Sequence, residues 1–325
     1  MFDIGVQTKN VVRDDNPLEG FMMLRDAGFT CCDFSLNAYL YNKNIYAGDI
    51  NPFFDKSVME LKEFFTPHKE AAKQAGIRIN QMHMPYPILV PDGDDAKNRY
   101  LWEEVAPKSM EICKFLECPN IVIHGVKLIQ KLGSEEAEWE KTAEFIDSIA
   151  GFAAENHITI CIENLYNSVN DGKNVHLVEG PCCDARKAAA RIDEFNEKYG
   201  AEVLGFCFDI GHANIVKLDF YDFLTTLGPR LKVLHLHDND GIADLHQLPF
   251  TFTKTRENTS STNWPAFIQA LKDIGFDGVL SFETAPELTS FPEAMKTTVL
   301  RFIRDIGEYI SDELEKSLPE NKILN

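Results

Sequence analysis

The feature that most constrains this chain is an alternation. Eight short β-like segments, FDIGVQT (2–8), FTCCDFSL (29–36), IRINQMHM (77–84), NIVIHG (120–125), ITICIEN (158–164), LGFCFDIG (204–211), LKVLHLHD (231–238) and GVLSFET (278–284), are separated by longer stretches of helical periodicity. Several of these stretches, such as 55–76 and 263–275, open on Asp or Asn and close on Gly, as helix ends do. Strand and helix repeated eight times predict an α/β fold in which a parallel sheet rolls into a (β/α)8 TIM barrel. No Pro/Ser-rich linker or compositional break divides the 325 residues, so we expect a single barrel domain over 1–325, with a C-terminal helix and tail from about residue 290. The last residues, SLPENKILN, read as a surface terminus.

Side chains alternate along a strand, so each segment also declares which residues face the barrel interior. In ITICIE the isoleucines 158, 160 and 162 share the helix-covered side, and Thr159, Cys161 and Glu163 share the other. The same split sets Cys207 and Asp209 against Leu204, Phe206 and Phe208. It sets Val233, His235 and His237 against Leu234 and Leu236, and Ser281 and Glu283 against Leu280 and Phe282. Glu163, Asp209, His235 and Glu283 therefore project inward near the C-terminal ends of their strands, the rim where barrel active sites sit.

Three carboxylates and an imidazole crowded into one mouth cannot all stay charged unaided, and a divalent cation resolves the conflict. Mixed oxygen and imidazole donors suit Mn²⁺, Zn²⁺, Co²⁺ or Fe²⁺, and the lack of a cysteine among the four argues against a structural zinc. More donors fall at the same rim. His83 and His124 end the third and fourth segments, His212 follows Asp209 in FDIGH, and Asp244 and His246 form a D-x-H pair within HLHDNDGIADLH (235–246). Asp238 and Asp240 read as loop solvation or as support for ligating histidines, and His237 is open between an inward and a solvent role. His68, His157 and His176 fall on predicted helices or loops, where solvation or capping is the default.

Composition excludes several partners. A formal charge of -19 opposes binding to nucleic acid or anionic membrane, leaving a small molecule as the expected partner. No apolar run approaches ~18 residues, and the first residues lack the pattern of a signal peptide, so a cytoplasmic protein is expected. Eight cysteines without a C-x-x-C spacing read as reduced core thiols.

The ordered series HMPY, IVIHG, ICIEN, FDIGH, HLHDND, DLH, NWPAFIQALKDIGFDG and SFET resembles the xylose isomerase-like TIM-barrel superfamily over most of the chain, and within it the sugar phosphate isomerase/epimerase group. Related members are ketose 3-epimerases, inosose dehydratases, hydroxypyruvate isomerases and endonuclease IV-type apurinic endonucleases. For the epimerase members the resemblance implies one divalent metal held by Glu163, Asp209, His235 and Glu283. The two glutamates would act as the acid-base pair, one removing a proton beside the substrate carbonyl and the other returning it from the opposite face. Substrate contacts would come from His83, His124 and His212, with Trp264 on the far wall, and such barrels often pair into homodimers.

The endonuclease members imply a larger set holding up to three zinc ions, and His83, His124, His212, Asp244 and His246 are then additional ligands. An acidic chain lacks the basic face that DNA requires, so the expected function is isomerisation or epimerisation of a small sugar, sugar phosphate or inositol-like polyol. The alternatives are a multi-zinc endonuclease or phosphodiesterase, an inosose dehydratase-like lyase, and a non-catalytic sugar-binding barrel. Two departures stand out. The segment 250–264 is long and polar, suggesting a lid or an oligomer contact, and no arginine follows His235 where ketose epimerases hold the end of their substrate. Lys127, Lys254 and Arg256 are the basic residues available to a phosphate or carboxylate, against the usual solvated role of such side chains.

Overall fold

The computed structural model describes residues 2–91, 93–128, 133–170, 172–252 and 262–316. Its strands are β1 (Ile4–Gln7), β2 (Cys31–Ser35), β3 (Arg78–His83), β4 (Asn120–Ile123), β5 (Thr159–Glu163), β6 (Tyr166–Asn170), β7 (Val175–Glu179), β8 (Leu204–Asp209), β9 (Leu231–His235) and β10 (Leu280–Phe282). All but β6 and β7 join one parallel sheet in the order β10-β1-β2-β3-β4-β5-β8-β9. Past the end of β9, Leu236 N–H donates to Ser281 O at 2.9 Å and Glu283 N–H donates to Leu236 O at 3.1 Å, which stitches the last strand to the seventh and closes the barrel. The eight expected strands and the TIM barrel are thus present, in the expected order.

The alternation read from the sequence sets the two faces. Ile160, Ile162, Phe206, Phe208, Leu234, Leu236 and Phe282 belong to the large core between sheet and helices, while Val122, Cys161, Cys207 and Val233 form a small separate cluster. That cluster consists of the inward residues one step below the rim, so it plugs the barrel and leaves only its mouth for chemistry.

The helices have local causes. Val58–Ala75 begins with a capping box between Ser57 and Glu60 and ends on left-handed Gly76. The helix Lys296–Glu315 buries Val299, Leu300, Ile303, Ile306 and Ile310 and packs on β1 and β10. It comes so close that a Cβ on Gly307 would sit 2.7 Å from Ile4 Cγ2. All eight cysteines are buried and free, and among the described residues no helix is long and apolar enough to cross a membrane.

Several expectations change. The antiparallel hairpin β6–β7 was not foreseen, because its strands, YNSVN and VHLVE, are mostly half-exposed and lack an apolar face. His68 is not solvated: it is 2% exposed, packed among Phe34, Phe64 and Phe65, with Nε2 3.0 Å from Asp14 Oδ1. His157 does cap a helix, closing Glu135–Asn156 at φ 54°, and His176 lies on β7. Residues 253–261, with Lys254 and Arg256, and the tail 317–325 lie outside the described residues, and with them most of the segment suggested as a lid.

Candidate active site and metal centre

Each strand delivers its donor to the mouth for a local reason. Asp209, the last residue of β8, caps the helix Ile210–Ile215 by accepting from His212 N–H at 2.6 Å, so the FDIGH segment fixes carboxylate and histidine together. Asn164, just past β5, donates to Asp209 O at 2.8 Å and accepts from Asp209 N–H at 2.9 Å, a pair of bonds that sets β5 against β8 at the rim. His237 Nε2 lies 3.1 Å from both oxygens of Asp209, and its ring stacks on His246 with centroids 4.1 Å apart. The side-chain amide of Gln7 donates to Glu283 Oε1 at 2.9 Å.

The donors converge. His235 Nδ1 is 3.2 Å from Glu283 Oε2, 3.5 Å from Glu163 Oε2 and 3.9 Å from Asp209 Oδ2. On one flank His83 Nε2 and His124 Nε2 lie 3.5 and 3.3 Å from Glu163 Oε2 and 3.2 Å from each other. On the other, Asp244 Oδ2 is 3.4 Å from His212 Nε2 and 3.2 Å from His246 Nε2. His83 Nδ1 turns to the Met84 carbonyl at 2.8 Å and His246 Nδ1 to the Glu283 carbonyl at 3.0 Å, which leaves each Nε2 directed inward. All nine residues singled out as metal ligands are therefore gathered at one rim. Their ligand atoms form adjoining groups, among them His83–His124–Glu163 and Asp209–His235–Glu283, and a further group joins Asp244 and His246 to His237.

Charge makes the cluster unusual. Burial works against ionisation of Glu163, but His124 and His235 hold its carboxyl well below the ordinary range. His212 and His246 do the same for Asp244. Burial disfavours a charged His246 ring, yet Glu283 and Asp244 outweigh it and push the imidazole up to about 10. His124 yields to burial despite the nearby Glu163 and falls to about 4. Among the described residues, no lysine or arginine pairs with Glu163, Asp209, Asp244 or Glu283.

The fit to a divalent cation rests on atoms left over. Glu163 Oε2, both ring nitrogens of His235 and Asp244 Oδ1 are buried with no hydrogen-bond partner, a costly state for such groups. Glu163 Oε2 and His235 Nδ1, both unpartnered and 3.5 Å apart, with Asp209 Oδ2 and Glu283 Oε2 within 3.9 Å of the same nitrogen, form the oxygen and imidazole set that a Mn²⁺, Zn²⁺ or Co²⁺ ion would bind.

The mouth opens into a cavity of about 230 Å³ lined by His83, Tyr86, His124, Lys127, Glu163, Tyr166, His212, Asp244, His246 and Glu283, among others. That volume lies below the ~300–1,000 Å³ of pockets for drug-sized ligands, so the space suits a small molecule. Trp264, expected on the far wall, is instead a core residue: it packs against Phe250 and Phe267 and donates its indole N–H to Asp238 Oδ2 at 3.3 Å. Asp238 is buried, not solvated, and also accepts from Thr262, Asn239 and Phe250. It organises the loop after β9 and touches none of the ligating histidines. Asp240 fits the expected loop role, accepting from Ile242 and Ala243 N–H.

Sequence reasoning missed Asp33, Gln7, Tyr86 and Tyr166. Asp33 is fully buried on β2, neither carboxylate oxygen has a partner, and Oδ2 lies 3.8 Å from His235 Nε2. Burial raises its pKa to about 6, against the opposing pull of His235. The signal was available: alternation in CCDFS places Cys31, Asp33 and Ser35 inward. Tyr86, stacked on His124 with centroids 4.0 Å apart, and Tyr166, beside His212, come from loop and hairpin positions that carry no such signal.

Comparison with known proteins agrees with this fold. The family model described as xylose isomerase-like TIM barrel matches residues 23–305. The uncharacterized protein y4fM of Sinorhizobium fredii is 23% identical over 284 residues, covering 81% of this chain and 79% of its own. A crystal structure of D-psicose 3-epimerase in the presence of D-fructose superposes with a TM-score of 0.64 at 17% identity, over 95% of this chain and 99% of that one. The 3-keto-D-glucoside 4-epimerase YcjR of E. coli does so with a TM-score of 0.62 at 14% identity, over 94% and 100%.

Proposed function

This chain belongs to the xylose isomerase-like TIM barrel family, and we propose that it is a divalent-metal-dependent isomerase or epimerase of a small sugar or sugar-like polyol. The observation that carries the reading is the convergence of Glu163, Asp209, Glu283 and His235, with Glu163 Oε2 and both His235 nitrogens lacking any hydrogen-bond partner. The two structural neighbours, epimerases of a ketose and of a keto-glucoside, support the substrate class.

Glu163, Asp209, His235 and Glu283 would hold the ion, which when bound polarises a substrate carbonyl and acidifies the adjacent C–H. Glu163 and Glu283 enter from opposite sides of His235, on β5 and just past β10, so a sugar between them meets a carboxylate on each face. Against the effect of burial, His124 and His235 hold the Glu163 carboxyl, and His235 and His246 the Glu283 carboxyl, below the ordinary range, which suits the glutamate that accepts the proton. Gln7 occupies Glu283 Oε1 and leaves Oε2 toward the centre. One glutamate, as the carboxylate, takes the proton from carbon and later releases it to solvent, and the other, having taken up a proton from solvent, delivers that proton to the opposite face. His212, fixed by the Asp209 cap, and His83 and His124 offer N–H groups to substrate oxygens.

The test is exchange of the substrate's α-hydrogen with deuterated water, using a panel of ketoses, inososes and their phosphates. Glu163→Gln and Glu283→Gln should each abolish exchange, and unchanged exchange in both variants would refute the role. A second reading, a phosphodiesterase with three zinc ions, is favoured by the nine gathered donors. About three zincs per chain by elemental analysis, together with cleavage of abasic DNA, would put it ahead. A single ion and no DNA retention at low salt would remove it.

A further inference from the structure

Lys127 lies three residues beyond His124 in the loop after β4 and lines the same cavity as Glu163, Asp244 and Tyr166. Its ammonium donates to the Tyr166 carbonyl at 2.6 Å and sits 5.0 Å from the centre of the Tyr166 ring. An ammonium has three protons to donate, and among the described residues one of them is used. Several other lysines find carboxylates: Lys62 pairs with Glu111, Lys187 with Glu135 and Glu136, and Lys198 with Asp147. With 51 acidic residues against 32 basic ones, a partner was easily supplied. Among the described residues none is supplied to Lys127, although burial lowers its pKa and so disfavours its charge. An ammonium held in a partly desolvated wall without a counter-ion is costly unless a ligand completes it.

We propose that Lys127 anchors a carboxylate on the substrate, so that the sugar handled here is a sugar acid: a ketose or polyol bearing one carboxylate at the end remote from the reacting carbons. This rests on the sugar reading above and narrows its substrate class. Lys127 is the one lysine among the described lining residues, and the lining holds no arginine, the side chain whose fork matches phosphate. One fixed positive charge balances a carboxylate, whereas a phosphate dianion would leave a negative charge facing Glu163 and Asp244.

Calorimetric binding to the Mn²⁺-loaded protein decides the matter without requiring turnover. The probes are D-fructose, D-fructuronate and D-fructose 6-phosphate, which differ only at C6. Wild type should bind fructuronate about ten- to a hundredfold more tightly than fructose, the scale of a charge-assisted hydrogen bond. Lys127→Met should erase that preference and leave fructose binding within about twofold. If the variant weakens acid and neutral ligands alike, Lys127 only holds the Tyr166 backbone and the proposal falls. A preference for the phosphate also overturns it, as does equal binding of fructose and fructuronate by wild type, though this last result leaves the isomerase reading intact. Binding of none of the three sinks both. Should Lys127→Met fail to fold, wild type still decides: the fructuronate preference should shrink as NaCl rises from about 0.05 to 0.5 M while fructose binding holds, and a salt-independent preference refutes the anchor.

Discussion

Gly211→Ala should damage the ligand cradle through a single methyl group. Gly211 sits in the first turn of the helix that Asp209 caps, in an ordinary helical conformation, so alanine by propensity alone would gain about 1 kcal/mol. Space forbids it: a Cβ there would lie 2.0 Å from His237 Cε1, 2.6 Å from Nδ1 and 2.7 Å from Nε2. The ring has no retreat, being fully buried, stacked on His246 and bonded to both oxygens of Asp209. Overpacking of this kind costs about 1–3 kcal/mol, and loss of a hydrogen bond to a charged group about 1.5–3 kcal/mol. Net of the propensity gain, destabilisation of about 1.5–5 kcal/mol is expected. At ~2.1 cal/mol/K per residue, a 325-residue chain would lose about 2–7 °C in Tm. Mn²⁺ affinity should fall as well, because Asp209 loses the partner that orients it. Scanning calorimetry and metal titration read both effects. In a His237→Ala background the same substitution should cost almost nothing, since the clashing ring is gone. A Gly211→Ala protein that melts within 1 °C of wild type (about 0.7 kcal/mol) and binds Mn²⁺ normally would show that the contact does not constrain the site.

Three further outcomes follow from the same interior. Asp33→Asn should act with opposite signs, stabilising the metal-free protein by about 1–3 kcal/mol by removing a buried unpartnered carboxylate and lowering Mn²⁺ affinity about 10–100-fold by depriving His235 of a neighbouring charge; parallel melting and titration check both, and equal signs would contradict the reading. Adding Mn²⁺ to chelator-treated protein at about 100 times its Kd should contribute about 2.7 kcal/mol to stability, or about 4 °C in Tm, and the gain should vanish in His235→Ala. His68 is neutral in the fold because burial lowers its pKa against the opposing pull of Asp14, so as pH falls the unfolded chain takes up the proton first. Stability from this group is therefore unaffected above about pH 7 and declines as pH drops through ~6.5; the Tm difference between wild type and His68→Leu, measured from pH 8 to 5, should narrow toward acid.

The sequence by itself determined the barrel and half of its site. Strand alternation is a local rule, so ITICIE, LGFCFD, LKVLH and LSFE each announced an inward donor, and eight such segments in a row leave one way to close a sheet. The Asp209 cap on the helix Ile210–Ile215 is likewise local, since an N-cap is written within four residues, although the strand pattern alone did not announce it. Only tertiary structure decided the rest, because those outcomes depend on pairs distant in the chain. Asp33 obeys the same alternation as Glu163, but its meaning comes from His235, 202 positions later. Trp264 and Asp238 find each other across a loop and so leave the cavity. His68 is buried by phenylalanines from two elements, and Lys127 lines the cavity with no carboxylate paired to it among the described residues. Which face a residue takes is settled by its neighbours in sequence; what it meets there is settled by barrel closure, which brings eight strand ends within a few ångströms of one another.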